Sequence, residues 1–230
     1  MGPRRRHAVP GWFDRQLDRL QAPRRDRYVL VFFLLISTFV LVPTLTIRLG
    51  PVLITFLEVV TVLLVLTTSG VGRPWLRLAA AATVGIFLVA ALGTATRSST
   101  AVFAILWLLL IVPAILAIGA RLLKHEAITV QTIFGALDVY LLLGLLATFL
   151  YAMIDDLSPQ PLFATGPVSD PFDYLYFSFI TLTTTGYGDL TAALDVGRAV
   201  AVLEALLGQI FLVTLVARLV SLWGPRRRES

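Results

Sequence analysis

The sequence predicts an all-α membrane protein with six transmembrane helices and a short re-entrant helix and loop between helices five and six. Two observations predict this class. First, 57% of the 230 residues are apolar and only 14% are charged, whereas roughly a quarter of a soluble domain is charged. Second, the apolar residues fall into six segments that can cross about 30 Å of hydrocarbon as helices. No segment alternates as a membrane β-strand does, and an ordinary soluble enzyme is excluded.

The six predicted spans carry few charges. They are Tyr28–Ile47, Val52–Thr68, Leu78–Thr96, Ala101–Ala120, Ile128–Ile154 and Val196–Val220. The second contains Glu58 and the fifth contains Asp138. The connection between the last two spans, Asp155–Asp195, is too long for a turn and holds a further apolar stretch, Phe172–Thr184. That stretch predicts a half-crossing helix, which is tolerated at membrane depth only where protein or water surrounds it.

Basic residues are distributed unequally between the two sides that six spans define. All but three of the 19 Lys and Arg residues fall on the side that holds both termini, the exceptions being Arg48, Arg97 and Arg198. The positive-inside rule therefore predicts cytoplasmic termini. A composition rich in Arg, Ala, Leu and Val with a single Lys is typical of a bacterial protein, so we expect a bacterial plasma membrane.

Residues 1–27 form the predicted basic cytoplasmic N-terminus. Within them, Gly11–Gln21 sets apolar side chains against charged ones, which favours a short interfacial helix, with a frayed basic tail as the alternative. We do not assign Arg4, Arg5 and Arg6 to a cleaved signal, because the apolar run begins more than twenty residues later and no small-residue cleavage site follows it. We therefore expect the first span to be retained.

The composition also limits the chemistry. There is no cysteine, and His7 and His125 are far apart in sequence. No metal cluster, nucleophile–base pair or phosphate loop is visible, so we expect neither an enzyme nor a resident cofactor. The net charge of +5 is explained by arginines that flank the spans, and a nucleic-acid partner is not expected.

The most informative segment is Thr181–Asp189, which reads TLTTTGYGD. A potassium ion sheds its water only where oxygens replace the hydration shell, and a strand that aims successive carbonyls at one axis supplies them. Such a strand needs backbone angles that are open mainly to glycine, which Gly186 and Gly188 provide. The Thr184 hydroxyl can add a ring of oxygens at the inner end. Tyr187 is expected to face away from the axis and to pack, which would fix the radius of the strand.

The residues upstream of this segment predict the start of the half-crossing helix. Asp170 can cap the helix, and Pro171 suits its first turn. Asp173 lies in that turn and favours the positive end of the helix dipole. The helix predicted over Phe172–Thr183 then directs its negative C-terminal end towards the membrane centre, where it favours a cation.

The capped half-helix and the TTTGYGD run together resemble the pore domain of the tetrameric potassium channel superfamily. The resemblance is close over Asp170–Leu190 and moderate over Ile128–Val220, and the first four spans match only in number and orientation. It implies a homotetramer with one central pore. It also implies that Thr184, Thr185, Gly186, Tyr187 and Gly188 form the filter, with potassium coordinated through Thr184, Thr185, Gly186 and Tyr187.

Other positions take roles from the same resemblance. Asp189 would be the acid just outside the filter, Ile128–Ile154 the outer helix, Val196–Val220 the inner helix, and Gly208 the gating hinge. Three positions depart from the family's pattern: Thr185 replaces the commoner valine, and Phe177 and Ile180 replace residues that help to hold the outer aspartate in some relatives. We therefore expect Asp189 to be held differently, through Tyr176.

Acidic residues form two groups of further candidates. Glu58, Asp138 and Glu204 lie within predicted spans, where acids are costly and are functional candidates by default. Glu204 either supports the filter from behind or faces the cavity, and Asp138 and Glu58 either pair with basic residues or are protonated. The second group surrounds the predicted outer mouth, as a cation-attracting cluster or as a solvated loop with helix caps. Its members are Asp155, Asp156, Asp170, Asp173, Asp189 and Asp195.

The first four spans, within residues 28–121, predict a peripheral domain shaped like a voltage sensor. Ala101–Ala120 carries no charge, so steep voltage gating is not expected. Residues 122–222 are the predicted pore domain, and 223–230 a short basic tail in which Arg226–Arg228 could contact anionic lipid.

These predictions converge on a potassium-selective channel that conducts passively. A cation channel of low selectivity is the nearest alternative, and an ion-coupled potassium transporter subunit is a further one.

Overall fold

The computed structural model describes residues 28–44, 59–61, 63–64, 66, 77–85, 97–124, 129–167, 170 and 172–223. The described residues contain five helices of eleven residues or more and no β-strand. The helices are α1 (Tyr28–Thr44), α2 (Arg97–Lys124), α3 (Val130–Leu157), α4 (Phe172–Leu182) and α5 (Asp195–Trp223). Residues 77–85 and all of the described positions between 59 and 66 are also helical. The prediction of an all-helical fold is therefore confirmed for the described part of the chain.

Three of these helices contain stretches that are long and apolar enough to cross a membrane. They are Val102–Leu122, Val130–Leu157 and Asp195–Arg218, which correspond to the predicted fourth, fifth and sixth spans. The apolar helix Tyr28–Leu41 is shorter. Much of the predicted second and third spans, including Glu58, lies outside the described residues, and the total of six spans stays a prediction.

Helix α3 is the centre of the packing. It contacts α1, α2, α4 and α5. Its apolar core with α2 includes Trp107, Ile111 and Leu142, which are fully buried, and the Trp107 indole stacks on the Phe149 ring with centroids 5.3 Å apart. Because lipid is as apolar as these side chains, close van der Waals contact, more than removal from water, stabilises such a helix pair within the membrane.

The start of α3 is set by a capping box. The Thr129 side chain accepts a hydrogen bond from the Thr132 backbone N–H, and the Thr129 N–H donates in return to the Thr132 hydroxyl, each at 3.2 Å. These bonds satisfy backbone donors that an N-terminus otherwise leaves without partners. Helix α3 therefore begins at Val130, two residues later than predicted, and ends at Leu157, three residues later.

The loop between α3 and α4 is hydrogen-bonded to the chain segment that follows Asp189. Ala164 N–H donates to the Thr191 carbonyl at 2.9 Å, and Ala193 N–H donates to the Leu162 carbonyl at 2.7 Å. The Asp155 carboxylate accepts from the Leu162 backbone N–H and from the Tyr174 hydroxyl at 2.6 Å. Asp155 therefore holds the outer loop against α4, and its membership of the predicted cation-attracting cluster stays a prediction.

Candidate ion-conduction site

Helix α4 begins where the sequence predicts. The Asp170 carboxylate accepts a hydrogen bond of 2.9 Å from the Phe172 backbone N–H, and the Asp170 carbonyl accepts one of 3.0 Å from the Asp173 N–H. Asp170 thus caps the helix, and Asp173 lies in its first turn. Pro171 lies outside the described residues. The helix ends at Leu182, one residue before the predicted end.

The backbone after α4 has a regular conformational alternation. Thr184, Gly186 and Gly188 have φ angles of 55°, 50° and 81°, whereas Thr185 and Tyr187 between them are not positive. Carbonyls of an ordinary strand point alternately to opposite sides. Where left- and right-handed residues alternate, every second peptide is turned over and successive carbonyls point to the same side. In an anion-binding nest, successive backbone N–H groups converge in this way on an anion; here the carbonyl oxygens converge instead. The left-handed conformation predicted at Gly186 and Gly188 is present.

Thr184 is a third left-handed position that the sequence did not predict. It is the only non-glycine residue with positive φ in the described part of the chain. A β-branched residue in this region is strained by about 1–3 kcal/mol. Hydrogen bonds on both sides fix the turn that contains it, since the Thr184 N–H donates to the Thr181 carbonyl at 2.9 Å and the Thr185 N–H donates to the Ile180 carbonyl at 2.8 Å.

The end of α4 also anchors the strand. The Ile180 carbonyl accepts from the Thr185 N–H at 2.8 Å and from the Gly186 N–H at 3.1 Å. The Thr183 and Thr185 hydroxyls are 2.9 Å apart. Any displacement of α4 at Ile180 is therefore passed directly to the middle of the Thr184–Gly188 strand.

The inner end of the strand contacts α5 through a residue that the sequence analysis missed. The Gln209 side-chain amide donates a hydrogen bond of 3.1 Å to the Thr184 hydroxyl, which itself donates to the Thr183 carbonyl at 2.7 Å. One lone pair of the Thr184 oxygen remains for another partner. The sequence contained a signal for Gln209, because a polar residue inside an apolar predicted span is a functional candidate even when it is uncharged.

The outer end of the strand contains Asp189. The Tyr176 hydroxyl donates to its carboxylate at 2.7 Å, which is the contact expected from the sequence. This hydrogen bond lowers the pKa of the Asp189 carboxyl below its ordinary value, so the outer end keeps its negative charge as the pH falls. Tyr187 is 72% exposed in the single chain, so the packing predicted for it is not supplied by its own chain and stays a prediction.

Gly208 lies where α5 passes closest to the end of α4. A β-carbon at this position would overlap the Leu182 carbonyl oxygen. Helix α5 runs through Gly208 from Asp195 to Trp223 without interruption. Close approach to a backbone atom is therefore sufficient reason for this glycine, and its role as a gating hinge stays a prediction.

Glu204 lies one turn before Gly208 and is 5% exposed. Its carboxyl group contacts the Tyr151 hydroxyl at 2.7 Å and the Ser178 hydroxyl at 2.5 Å. These contacts place the Glu204 carboxyl group between α3 and α4, and its support of a filter stays a prediction.

The remaining acids are dispersed. Asp138 is fully buried in α3, and its carboxylate oxygens have no hydrogen-bond partner among the described residues. Asp195 and Arg198 are exposed and form an ion pair at 3.6 Å. Asp138 is thus not brought together with the strand, and Glu58 lies outside the described residues.

Helix α5 presents very little of its surface to its own chain. Gly197, Glu204 and Gly208 are its only buried residues among those whose side chains are described. Their spacing of seven and four places them on one stripe of the helix. Large apolar side chains on its other faces are exposed, including Leu206, Ile210 and Val213 at 54–65%.

Comparison with known proteins adds the family. Residues 136–223 match the model of a family described as "Ion channel". The chain is 46% identical over 54 residues to Protein LctB of Bacillus caldotenax, and 44% identical over 64 residues to Protein LctB of Geobacillus stearothermophilus. These alignments cover 24% and 27% of this chain and 40% and 47% of the relatives, so the chain spans less than half the length of either. No solved structure matches the chain.

The matched residues include the capped helix α4, the strand with alternating φ angles and the helix α5 that contacts it. Residues 136–223 are therefore similar to an ion-channel domain.

Proposed function

We propose that the chain is one subunit of a homotetrameric, potassium-selective channel that conducts passively through a central pore in a bacterial plasma membrane. The observation that carries this proposal is the alternation of positive φ at Thr184, Gly186 and Gly188. It gives each chain a row of carbonyls that can replace water around a dehydrated ion. One chain supplies one row, and several rows are needed to surround an ion.

The exposure of the strand and of α5 supports assembly. Every residue from Thr183 to Asp189 is exposed in the single chain, and so is most of α5. A strand of aligned carbonyls is costly in hydrocarbon unless other protein or ions surround it. Copies of this chain around a common axis would bring four strands together, and would cover both surfaces at once.

A matched pair of glycine substitutions tests the proposal in liposomes with a potassium gradient. Gly186 and Gly166 both have positive φ, and a β-carbon at either would meet open space, so Ala strains the backbone at both without a clash. We expect Gly186→Ala to reduce potassium flux about 10- to 100-fold, because the strain disturbs the carbonyl row. We expect Gly166→Ala, in the outer loop, to retain it. Equal flux through both variants would contradict the proposal.

The same vesicles distinguish the alternatives. A reversal potential measured with potassium on one side and sodium on the other is expected to follow the potassium gradient. A potential near zero would instead identify a cation channel of low selectivity. Potassium accumulation against its gradient, driven by protons or sodium, would identify a transporter subunit.

We propose that voltage has little effect on opening. The stretch Val102–Ala120 of α2 has no charged side chain. Because moving one elementary charge through 100 mV yields about 2.3 kcal/mol, an uncharged helix supplies no such energy. Current from the reconstituted protein should therefore vary smoothly with voltage, and a steep, saturating conductance–voltage curve would contradict this.

A further inference from the structure

A sealed group of oxygen atoms joins the three helices of the pore domain. The Tyr151 hydroxyl of α3 is 2.7 Å from one Glu204 carboxyl oxygen, and the Ser178 hydroxyl of α4 is 2.5 Å from the other. The Ser178 hydroxyl is also 2.7 Å from the Gly144 carbonyl oxygen of α3. Tyr151 and Ser178 are fully buried. We call Tyr151, Ser178, Glu204 and the Gly144 carbonyl the buried cluster.

The hydrogen atoms available to these contacts can be counted. A carbonyl oxygen only accepts, and each hydroxyl carries one proton. The Thr148 hydroxyl also reaches the Gly144 carbonyl, at 2.9 Å, but with its own proton. If Ser178 donates to Gly144 and Tyr151 donates to Glu204, no hydroxyl proton remains for the Ser178–Glu204 contact. If Glu204 were ionised, the Ser178 hydroxyl oxygen and a Glu204 carboxylate oxygen would face each other at hydrogen-bond distance with no proton between them. A protonated Glu204 supplies the missing proton.

The surroundings favour the same state. Two neutral hydroxyls contact the Glu204 carboxyl group, and Tyr140 of α3 is the further titratable group that faces it among the described residues. A buried carboxylate is stable only where charges or several donors compensate for its lost hydration. With Glu204 protonated, each contact of the buried cluster has one donor and one acceptor.

We propose that Glu204 is held as a neutral carboxylic acid and is a positioning residue for the filter strand. Its two oxygens fasten α5 to α3 and to α4 at one point. Ser178 is two residues before Ile180, whose carbonyl holds the Thr185 and Gly186 N–H groups. The buried cluster thereby sets the position of the strand from behind. The effect on selectivity rests on the function proposed above, whereas the protonation state does not.

Infrared difference spectroscopy tests the protonation state on the full chain in lipid vesicles. Wild type minus Glu204→Gln is expected to show the C=O band of a protonated carboxylic acid at neutral pH. Asp138→Asn reports the other buried acid separately, so the two bands can be assigned. A Glu204 difference spectrum with carboxylate bands in place of the acid band would overturn the proposal.

Ion selectivity tests the positioning. Gln keeps the shape and neutrality of the acid, and its amide can donate to Ser178 and accept from Tyr151, so Glu204→Gln should retain the wild-type potassium preference. Ser178→Ala removes the contacts of α4 to Glu204 and to the Gly144 carbonyl, and it is expected to lower the potassium-to-sodium permeability ratio about tenfold. Loss of selectivity in Glu204→Gln, or its full retention in Ser178→Ala, would overturn the positioning role. A wild type without potassium preference would refute the function proposed above while leaving the infrared result intact.

Discussion

The two long helices of the pore domain differ in where they find their partners. Half of the most apolar stretch of α3 is buried inside the chain, whereas 11% of the corresponding stretch of α5 is buried. Both helices are nearly equal in length, with 28 and 29 residues. The difference teaches that α3 and α4 form a scaffold with substantial packing inside one chain. Helix α5 and the strand that it contacts present surfaces for contacts beyond that chain, and the stripe of Gly197, Glu204 and Gly208 joins the two parts.

The largest expected effect comes from disturbing that stripe. In Gly208→Ala, the new methyl group overlaps a backbone carbonyl that cannot rotate away, so we expect destabilisation of about 1–3 kcal/mol despite the better helix propensity of Ala. The thermal midpoint in detergent should fall by roughly 2–10 °C.

Gly119 of α2 provides the matched control for this substitution. A β-carbon at Gly119 meets nothing within 4 Å, so Gly119→Ala should leave the midpoint unchanged or raise it slightly. Equal midpoints for the two variants would show that α5 does not press against α4 as described.

The second effect concerns assembly. The chain contains no cysteine, so a single introduced thiol reports its own surroundings. Val216 of α5 and Leu116 of α2 are both exposed, at 55% and 65%. Only residues close to a shared axis can form a disulfide with their own copies, because the two Cα atoms must lie within about 7 Å. Mild oxidation should therefore dimerise Val216→Cys and spare Leu116→Cys. Equal dimerisation of the Val216→Cys and Leu116→Cys variants would contradict a shared axis next to α5.

The third effect concerns the contact between α5 and the strand. Gln209→Leu keeps the side-chain volume and removes the donor to the Thr184 hydroxyl. A hydrogen bond of this kind contributes about 0.5–1.5 kcal/mol, so the potassium-to-sodium permeability ratio should fall about 2- to 10-fold. Ile210→Leu, at the next position, should not change it. A ratio that Gln209→Leu leaves unaltered would mean that Thr184 is held without α5.

The smallest effect is a shift in pH dependence at the outer mouth. Tyr176→Phe removes the hydrogen bond that lowers the Asp189 pKa, so that pKa should rise towards its ordinary value. Asp189 is charged above its pKa and loses its charge as the external pH falls through it. Inward potassium current should consequently decline at a higher pH in the variant than in wild type. Identical pH profiles would exclude Asp189 from attracting cations.

Local features of this site were predictable from the sequence, and tertiary ones were not. The capping by Asp170 was predictable because a carboxylate just before a helix accepts a hydrogen bond from a backbone N–H in the first turn. The left-handed conformations of Gly186 and Gly188 were predictable because glycine has no β-carbon. Thr184 was missed because a β-branched residue disfavours the conformation that the surrounding hydrogen bonds impose on it. Helical periodicity places Glu204 and Gly208 on one stripe, but it does not say which helix the stripe faces. The contacts to Tyr151, Ser178 and Leu182 depend on that rotation.

The strain at Thr184 has a consequence for the tetramer proposed here. Four copies would store on the order of 4–12 kcal/mol in one ring of peptides. Potassium bound to that ring would compensate for it, so the permeant ion would also be a ligand that stabilises the fold in proportion to its concentration. When potassium is depleted, the strain at Thr184 should be relieved by rotation of the Thr184 peptide. We therefore expect the inner end of the Thr184–Gly188 strand to be the first part of the proposed pathway to close.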